Sequence, residues 1–240
     1  VLLEADEIAG GMAILRGRRA KHIHTVHRAQ PGDSLQVGVV QGRMGLGLVR
    51  TAAADEVVLE LTLSDDPPVA PGIDLIVALP RPKVARRVLS MAASLGVKRL
   101  VFLNALRVER SYFDSPLLEP EAVREELLLG LEQGCDTLLP EVLIRDRFKP
   151  FVEDELESLW PRPGTRLMAH PTARQSVHAL TVTSRCVIAI GPEGGWIPFE
   201  LRLLEAHGFE TISLGPRILR VETAIPFVFG QVAAQLAARG

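Results

Sequence analysis

The sequence predicts an α/β protein in two parts: a small antiparallel β-barrel or sandwich, then a larger domain built on a parallel sheet. Three observations carry this. Over the first sixty-odd residues the apolar runs are short and broken by Gly, Pro and Asp turns, the rhythm of small all-β folds. Residues 64–72, SDDPPVAPG, hold three prolines and no periodicity, as a linker does. Beyond them strand-like runs alternate with helical patterns, which is how βαβ units and parallel sheets are written.

The elements follow in order. SLQVGVV (34–40), GLGLVR (45–50) and VVLELTL (57–63) read as short strands. QPGD at 30–33 is a turn, with Pro31 presetting φ and Gly32 free to take φ > 0. IDLIVAL (73–79) is nearly all apolar, as in a strand covered on both faces. KVARRVLSMAASLG (83–96) puts Val84, Val88, Met91, Ala92 and Leu95 on one helical face and stops at Gly96. RLVFL (99–103) completes a βαβ unit. Further strands are expected at 165–169, 186–190 and 211–214, and helices at 120–133, 198–207 and 223–238, with Pro226 in the first turn of the last. The expected domains are 1–68 and 73–240.

Composition sets limits on function. The chain has 240 residues, 47% hydrophobic and 23% charged, enough apolar surface to bury a substantial core. A net charge of −2 gives no global positive field. Cys135 and Cys186 lie far apart and suggest neither a disulfide framework nor a zinc site. His170 and His178 lack helical i, i+4 spacing and a third ligand nearby, so no metal is expected. The most apolar stretch, 225–238, is interrupted by Gln231 and Gln235 and is too short to span a bilayer. The acidic opening VLLEADEIAG does not read as a signal peptide. The expectation is a soluble, cytoplasmic protein without a membrane partner.

Chemistry should sit past the carboxyl ends of the strands, where ligands bind in open α/β sheets. Three strand ends carry unusual loops: 165–169 runs into HPTARQS, 186–190 into GPEGGW, and 211–214 into GPRILRVETA. Glycine lets backbone approach a ligand closely, and proline stiffens the turn. Neither a P-loop GxxxxGK[ST] nor a dinucleotide GxGxxG is present.

The stretch IGPEGGW…FELRLLEAHGFETISLGPRILRVETA resembles the C-terminal signature of the RsmE-type 16S rRNA uridine-N3 methyltransferases, trefoil-knotted enzymes of the SPOUT class. KHIHTVHRAQPGDSLQVG resembles that family's small PUA-like barrel, and ASLGVKRLVFL…ERS its first βαβ unit. The resemblance implies an α/β fold in which a SPOUT-like trefoil-knot domain follows a PUA-like, RNA-binding β-barrel. It also implies S-adenosyl-L-methionine as cofactor, the rRNA of the small ribosomal subunit as partner, and a homodimer. Ile190, Gly191, Pro192, Glu193, Gly194 and Gly195 match the first knot loop. Leu214, Gly215, Pro216, Ile218, Leu219 and Arg220 match the second, followed by Glu222, Thr223 and Ala224. With Leu167 and Ala169 on the strand before the third loop, these make up the implied cofactor set. Apolar side chains and backbone amides suit an adenine and a thioether, which need no phosphate clamp.

Uracil N3 carries a proton at neutral pH, so methylation needs a base or a stabilised anion. Arg220 is the candidate anion stabiliser and Glu222 the candidate base or orienting group. The alternative is that the two pair with each other or cap the next helix, for which Thr223 looks like the N-cap. Glu193 either stands near the sulfonium or, as favoured here, holds the turn through its amides. The run 16–28, RGRRAKHIHTVHR, has no acid and offers Arg16, Arg18, Arg19, Lys21, His22 and Arg28 for phosphate contacts; a solvated face is the plainer reading. Arg107 and Arg110 lie beside Tyr112 and Phe113, a pairing that suits unpaired bases. Ile225, Phe227, Val228, Phe229, Val232, Ala233 and Leu236 wrap most of the last helix, which must be covered by core or by a partner.

The chain departs from the family pattern at 119–142, which is acidic, and at Ile197, where a Ser or Thr cap is usual. The main reading is an S-adenosylmethionine-dependent rRNA uridine methyltransferase; the alternatives are a SPOUT methyltransferase with another RNA substrate, a catalytically weak RNA-binding assembly factor, and a nucleotide-binding metabolic enzyme with similar turns.

Overall fold

The structure is a computed structural model that describes residues 1–182 and 185–238. Its contacts divide the chain into two compact units, 1–69 with 131–139, and 70–130 with 140–240.

The first unit is a curled six-stranded sheet. Its strands are β1 (Leu2–Leu3), β2 (Ile8–Ala9), β3 (Met12–Arg16), β4 (Ser34–Val39), β5 (Met44–Ala52) and β6 (Glu56–Asp65), in the order β1-β4-β5-β6-β3-β2. All pairs are antiparallel except β1 with β4. Helix α1 (Gly17–His22) follows β3 and runs into a wide helical turn, Ile23–His27. Leu3, Leu15, Ile23, Val37, Val49, Val57 and Leu59 form the core. Alternation explains the two long strands, but Gly45 has a further reason. A Cβ there would lie 2.0 Å from the Thr62 carbonyl oxygen, so only glycine lets β5 press onto β6 at that bulge. The short β1, β2 and β3 lack the turn-bounded β-branched runs that marked the others, and the sequence reading missed them.

Residues 131–139 cluster with this sheet, although sequence order places them far beyond the linker. Asp136 is buried and its Oδ1 accepts the Thr137 and Leu138 amides, at 2.6 and 2.9 Å. The turn so formed aims Thr137 at the β4–β5 hairpin, where its hydroxyl donates to the Gly42 carbonyl at 2.6 Å and its carbonyl accepts from Gln41 N–H at 2.8 Å.

The second unit is an all-parallel sheet of β7 (Ile73–Ala78), β8 (Arg99–Leu103), β9 (Glu141–Arg145), β10 (Thr165–Ala169), β11 (Cys186–Ile190) and β12 (Glu210–Ile212). The order β12-β10-β11-β7-β8-β9 shows that β11 enters between strands laid down earlier. Helices α2 (Pro82–Ser94) and α3 (Pro120–Gly134), the short α4 (Phe148–Pro150) and α5 (Leu156–Leu159), α6 (Pro198–Ala206) and α7 (Val221–Ala237) complete the elements. One face of the sheet packs Ile76, Val101, Met168 and Val187 against Phe151, Leu156, Trp196, Leu204 and Phe209. Helix α7 lies against α2, β7 and β11. The central strands are buried on both faces, which is why they read as unbroken apolar runs.

Helix α7 starts at Val221 rather than 223, with Arg220 as its N-cap residue, so Thr223 is inside the helix and caps nothing. Pro226 accordingly sits in the second turn, where it withholds an N–H from the helix.

Cys186 lies in β11, 3% exposed, and burial followed by the neighbouring Asp74 carboxylate pushes its thiol up to about 12. Cys135 is exposed. A thiol reagent at mildly alkaline pH is expected to modify Cys135 alone in the native protein and both cysteines after denaturation. Native reaction of both would show that β11 opens.

Candidate functional site

Strands β11 and β12 both neighbour β10 and run parallel to it, so the three chains leave the sheet at the same end. Their loops close on a cavity of about 420 Å³, within the range of about 300–1,000 Å³ typical of small-molecule sites. The loop after β10 supplies His170, Pro171 and Thr172; the loop after β11 supplies Gly191–Trp196; the loop after β12 supplies Leu214, Gly215 and Arg217–Arg220.

Each loop is shaped by local chemistry. Gly195 N–H donates to the Pro192 carbonyl at 2.7 Å with φ at +74°, a left-handed turn that glycine takes without strain. A Cβ on Gly191 would lie 3.0–3.1 Å from the Trp196 ring, so glycine there lets the buried indole fold under the turn. The loop after β12 is stitched to the loop after β10: His170 N–H donates to the Ile212 carbonyl at 3.0 Å, and Ser213 N–H to the Gln175 carbonyl at 2.7 Å.

The cavity collects most of the residues expected to hold a cofactor. Ala169, Ile190, Gly191, Pro192, Glu193, Gly194, Gly195, Leu214, Gly215, Ile218, Leu219, Arg220 and Ala224 line it. Leu167 does not: it points to the same side as Ala169 but lies two residues back along β10, fully buried beneath the floor. Thr223 is exposed on α7 and away from the cavity. Glu222 also stands off, its carboxylate 3.8 Å from the Arg87 guanidinium, so the alternative Arg220–Glu222 pair does not form. Arg220 is exposed at the rim, and its guanidinium has no partner among the described residues.

Glu193 is exposed and bonds none of the turn amides, so the turn-holding role expected of it is corrected. A different acid does that work. Glu200, 2% exposed, accepts the Ile197 N–H at 3.0 Å and the Leu106 N–H at 2.7 Å. Sequence reasoning missed it, and the available signal was an acid three residues after an uncapped helix start. Arg107 was also absent from the cofactor set; it lines the cavity and donates to the Gly194 carbonyl. Trp196 and Val221 were missed as well.

Of the basic residues in the first unit, Arg19 is engaged at home: its guanidinium bonds both Glu7 carboxylate oxygens and the Leu2 carbonyl. The Glu7 hydrogen bond raises the Arg19 pKa despite partial burial. Arg16 pairs with Glu56 at 2.7 Å and Arg18 with Glu132 at 3.6 Å, both largely exposed. Lys21, His22 and Arg28 are exposed, as is Arg110 in the second unit.

His170 is half-buried at the cavity, and its Nδ1 accepts the Thr172 N–H at 3.3 Å. Burial lowers its pKa below the ordinary 6.5, only partly offset by Glu205. The folded state therefore resists a proton that the unfolded state accepts. The stability this group allows is full above about 6.5 and is lost as pH falls through the lower folded value. NMR titration of His170 is expected to give a midpoint below that of a model histidine; a midpoint above it would contradict the geometry.

The cavity fits a cofactor with an apolar body and a few polar groups. Its walls carry alanine, isoleucine, leucine, proline and glycine backbone, with Arg107, Arg217 and Arg220 as the cations among them. Among the described residues no group of three or more His, Cys, Asp or Glu is placed to hold a metal, and no helix is long and apolar enough to cross a membrane.

A parallel sheet whose three adjacent loops close on such a cavity is an α/β ligand-binding domain, and residues 68–233 match the RNA methyltransferase domain family. The chain belongs to the ribosomal RNA small subunit methyltransferase E family. It is 31% identical to the Treponema pallidum member over 93% of this chain and 86% of that one. Two solved structures share the fold. A probable rRNA methyltransferase from Porphyromonas gingivalis is 22% identical, with a TM-score of 0.76 over 100% of this chain and 99% of that one. A small subunit methyltransferase E from Neisseria gonorrhoeae, bound to S-adenosyl methionine, is 20% identical, with a TM-score of 0.74 over 99% and 97%.

Proposed function

We propose that this chain is an S-adenosylmethionine-dependent methyltransferase acting on N3 of a uridine in small-subunit rRNA. The observation that carries the reading is the cavity assembled from residues 190–195 and 214–220, the segments that resemble the family's two knot loops. Ile190, Leu219 and Ala224 would flank the adenine and thioether, and the glycine turns would meet polar edges with backbone groups. Bound there, S-adenosylmethionine supplies an electrophilic methyl group. The protein's part is to orient the acceptor and manage charge. The uracil N3 proton must pass to solvent before the methyl arrives, which leaves negative charge on the base until N3 takes the methyl. Arg220 stands unpaired where it can offset that charge. Glu222, held by Arg87, fits the orienting role for α7 better than that of a base.

The path of the chain supports a trefoil knot: the segment leaving edge strand β12 is bonded to the 170–177 loop before entering α7, which lies across β7 and β11. The curled first unit is read as the PUA-like, RNA-binding module, with Arg16, Arg18, Lys21, His22 and Arg28 as phosphate contacts and Arg110 as a second-unit contact. Arg19 is left out, because Glu7 already holds it. A homodimer is supported by α7, whose Ile225, Val228, Phe229 and Val232 are buried while Phe227 stays 49% exposed beside Pro226 and Gly230. Ribosomal RNA as substrate supports a cytoplasmic location.

Calorimetry is expected to show S-adenosylmethionine binding, and its absence at millimolar ligand would sink the reading. Labelled methyl should pass to small ribosomal subunits from a strain lacking its own enzyme. Label on another RNA would keep the class and discard the substrate, and binding without transfer would favour an RNA-binding relative.

A further inference from the structure

We propose that Glu200 is a positioning residue that locks the loop after β8 to the loop after β11, so that Leu106 and Arg107 form the wall on which the acceptor base is held. This rests on the methyltransferase reading above. A carboxylate 2% exposed needs strong partners, and Glu200 divides its two oxygens between two loops. Oε2 takes the Ile197 N–H at the start of α6, where isoleucine offers no capping oxygen of its own. Oε1 takes the Leu106 N–H, 94 residues earlier in the chain. That second bond does nothing for α6. A tie of opposite polarity runs back, from the Arg107 guanidinium to the Gly194 carbonyl.

Two cross-loop bonds therefore fix residues 106–107 against the 191–197 turn. Between them the backbone of Leu106 is pinned while its side chain stands 74% exposed, and Arg107 faces the cavity. An unpaired base needs an apolar or guanidinium surface to lie on, and transfer demands that this surface keep its distance from the methyl donor. The lock supplies that distance.

The test uses the full chain carrying E200Q with I197S. Glutamine keeps the volume, but its amide offers one acceptor oxygen for two donors and presents N–H groups to the other. The serine Oγ can accept an amide of the first turn of α6, which supports the helix without replacing either bond of Glu200 or reaching Leu106. We expect melting temperature near wild type, S-adenosylmethionine affinity within about 3-fold, and kcat/KM for small subunits lower by about 100-fold, the scale of a misplaced reactant. Amide exchange at Leu106 should accelerate about 10-fold, the loss of roughly one hydrogen bond. Activity returning with stability would overturn the wall, and so would unchanged exchange at Leu106. A wild-type chain that binds cofactor yet methylates no RNA would bring down the methyltransferase reading and the wall together, an outcome distinct from either.

Discussion

Replacing Arg220 with alanine is expected to cut turnover about 100-fold, a loss of about 2.7 kcal/mol in transition-state stabilisation, with cofactor affinity nearly unchanged. The physical reason is position. Arg220 lines the cavity at the N-cap of α7, is exposed, and makes no side-chain bond to the cap or to Glu222. Removing a solvated, unpartnered guanidinium costs the fold little, within about 0.5 kcal/mol for a surface substitution. Its charge matters only when negative charge develops beside it, so kcat should fall and the Kd for S-adenosylmethionine should not. Single-turnover kinetics and calorimetry on the same preparation separate the two. Lost melting temperature with specific activity preserved would instead make Arg220 a structural residue.

Gly191→Val is expected to weaken S-adenosylmethionine binding by at least about 100-fold, or about 2.8 kcal/mol. A Cβ at 191 already meets three atoms of the Trp196 ring at 3.0–3.1 Å, and valine adds two methyl groups to that approach. The ring cannot step aside cheaply, since Trp196 is 3% exposed and packs against Phe148 with centroids 5.8 Å apart. Overpacking of this kind costs about 1–3 kcal/mol of stability, and relief must come from the turn whose backbone faces the cofactor. Calorimetry with circular dichroism checks both parts. A folded variant that binds within about 3-fold of wild type would show that Gly191 does not shape the cradle.

Much of the second unit was legible because its signals are local. The expected strands 99–103, 165–169 and 186–190 match β8, β10 and β11 residue for residue, and Gly96 ends α2 with φ at +77°. β9 went unread: Glu141–Arg145 is an edge strand, only partly buried, and its apolar run is three residues, Val142 to Ile144, between two charged ends. The helical stretch 148–159 is split into turns too short to show a period. In the site, the paired Gly-Pro loops announced themselves through composition. Arg107 was legible only as a neighbour of Tyr112 and Phe113 suited to a base, and Glu200 not at all, because neither lies in a loop that follows β10, β11 or β12.

By itself the sequence determined the alternation of strand and helix and the two glycine turns whose resemblance names the family. All depend on periodicity and φ preference within a few residues. Tertiary structure decided which charges are free to act. Arg19 is spent on Glu7, Glu222 on Arg87 and Glu200 on the Leu106 amide, while Arg220 is left open at the cavity. A charge becomes a structural tie or a functional group according to what the fold brings within about 4 Å of it, and those partners lie 12 to 135 residues away in the chain.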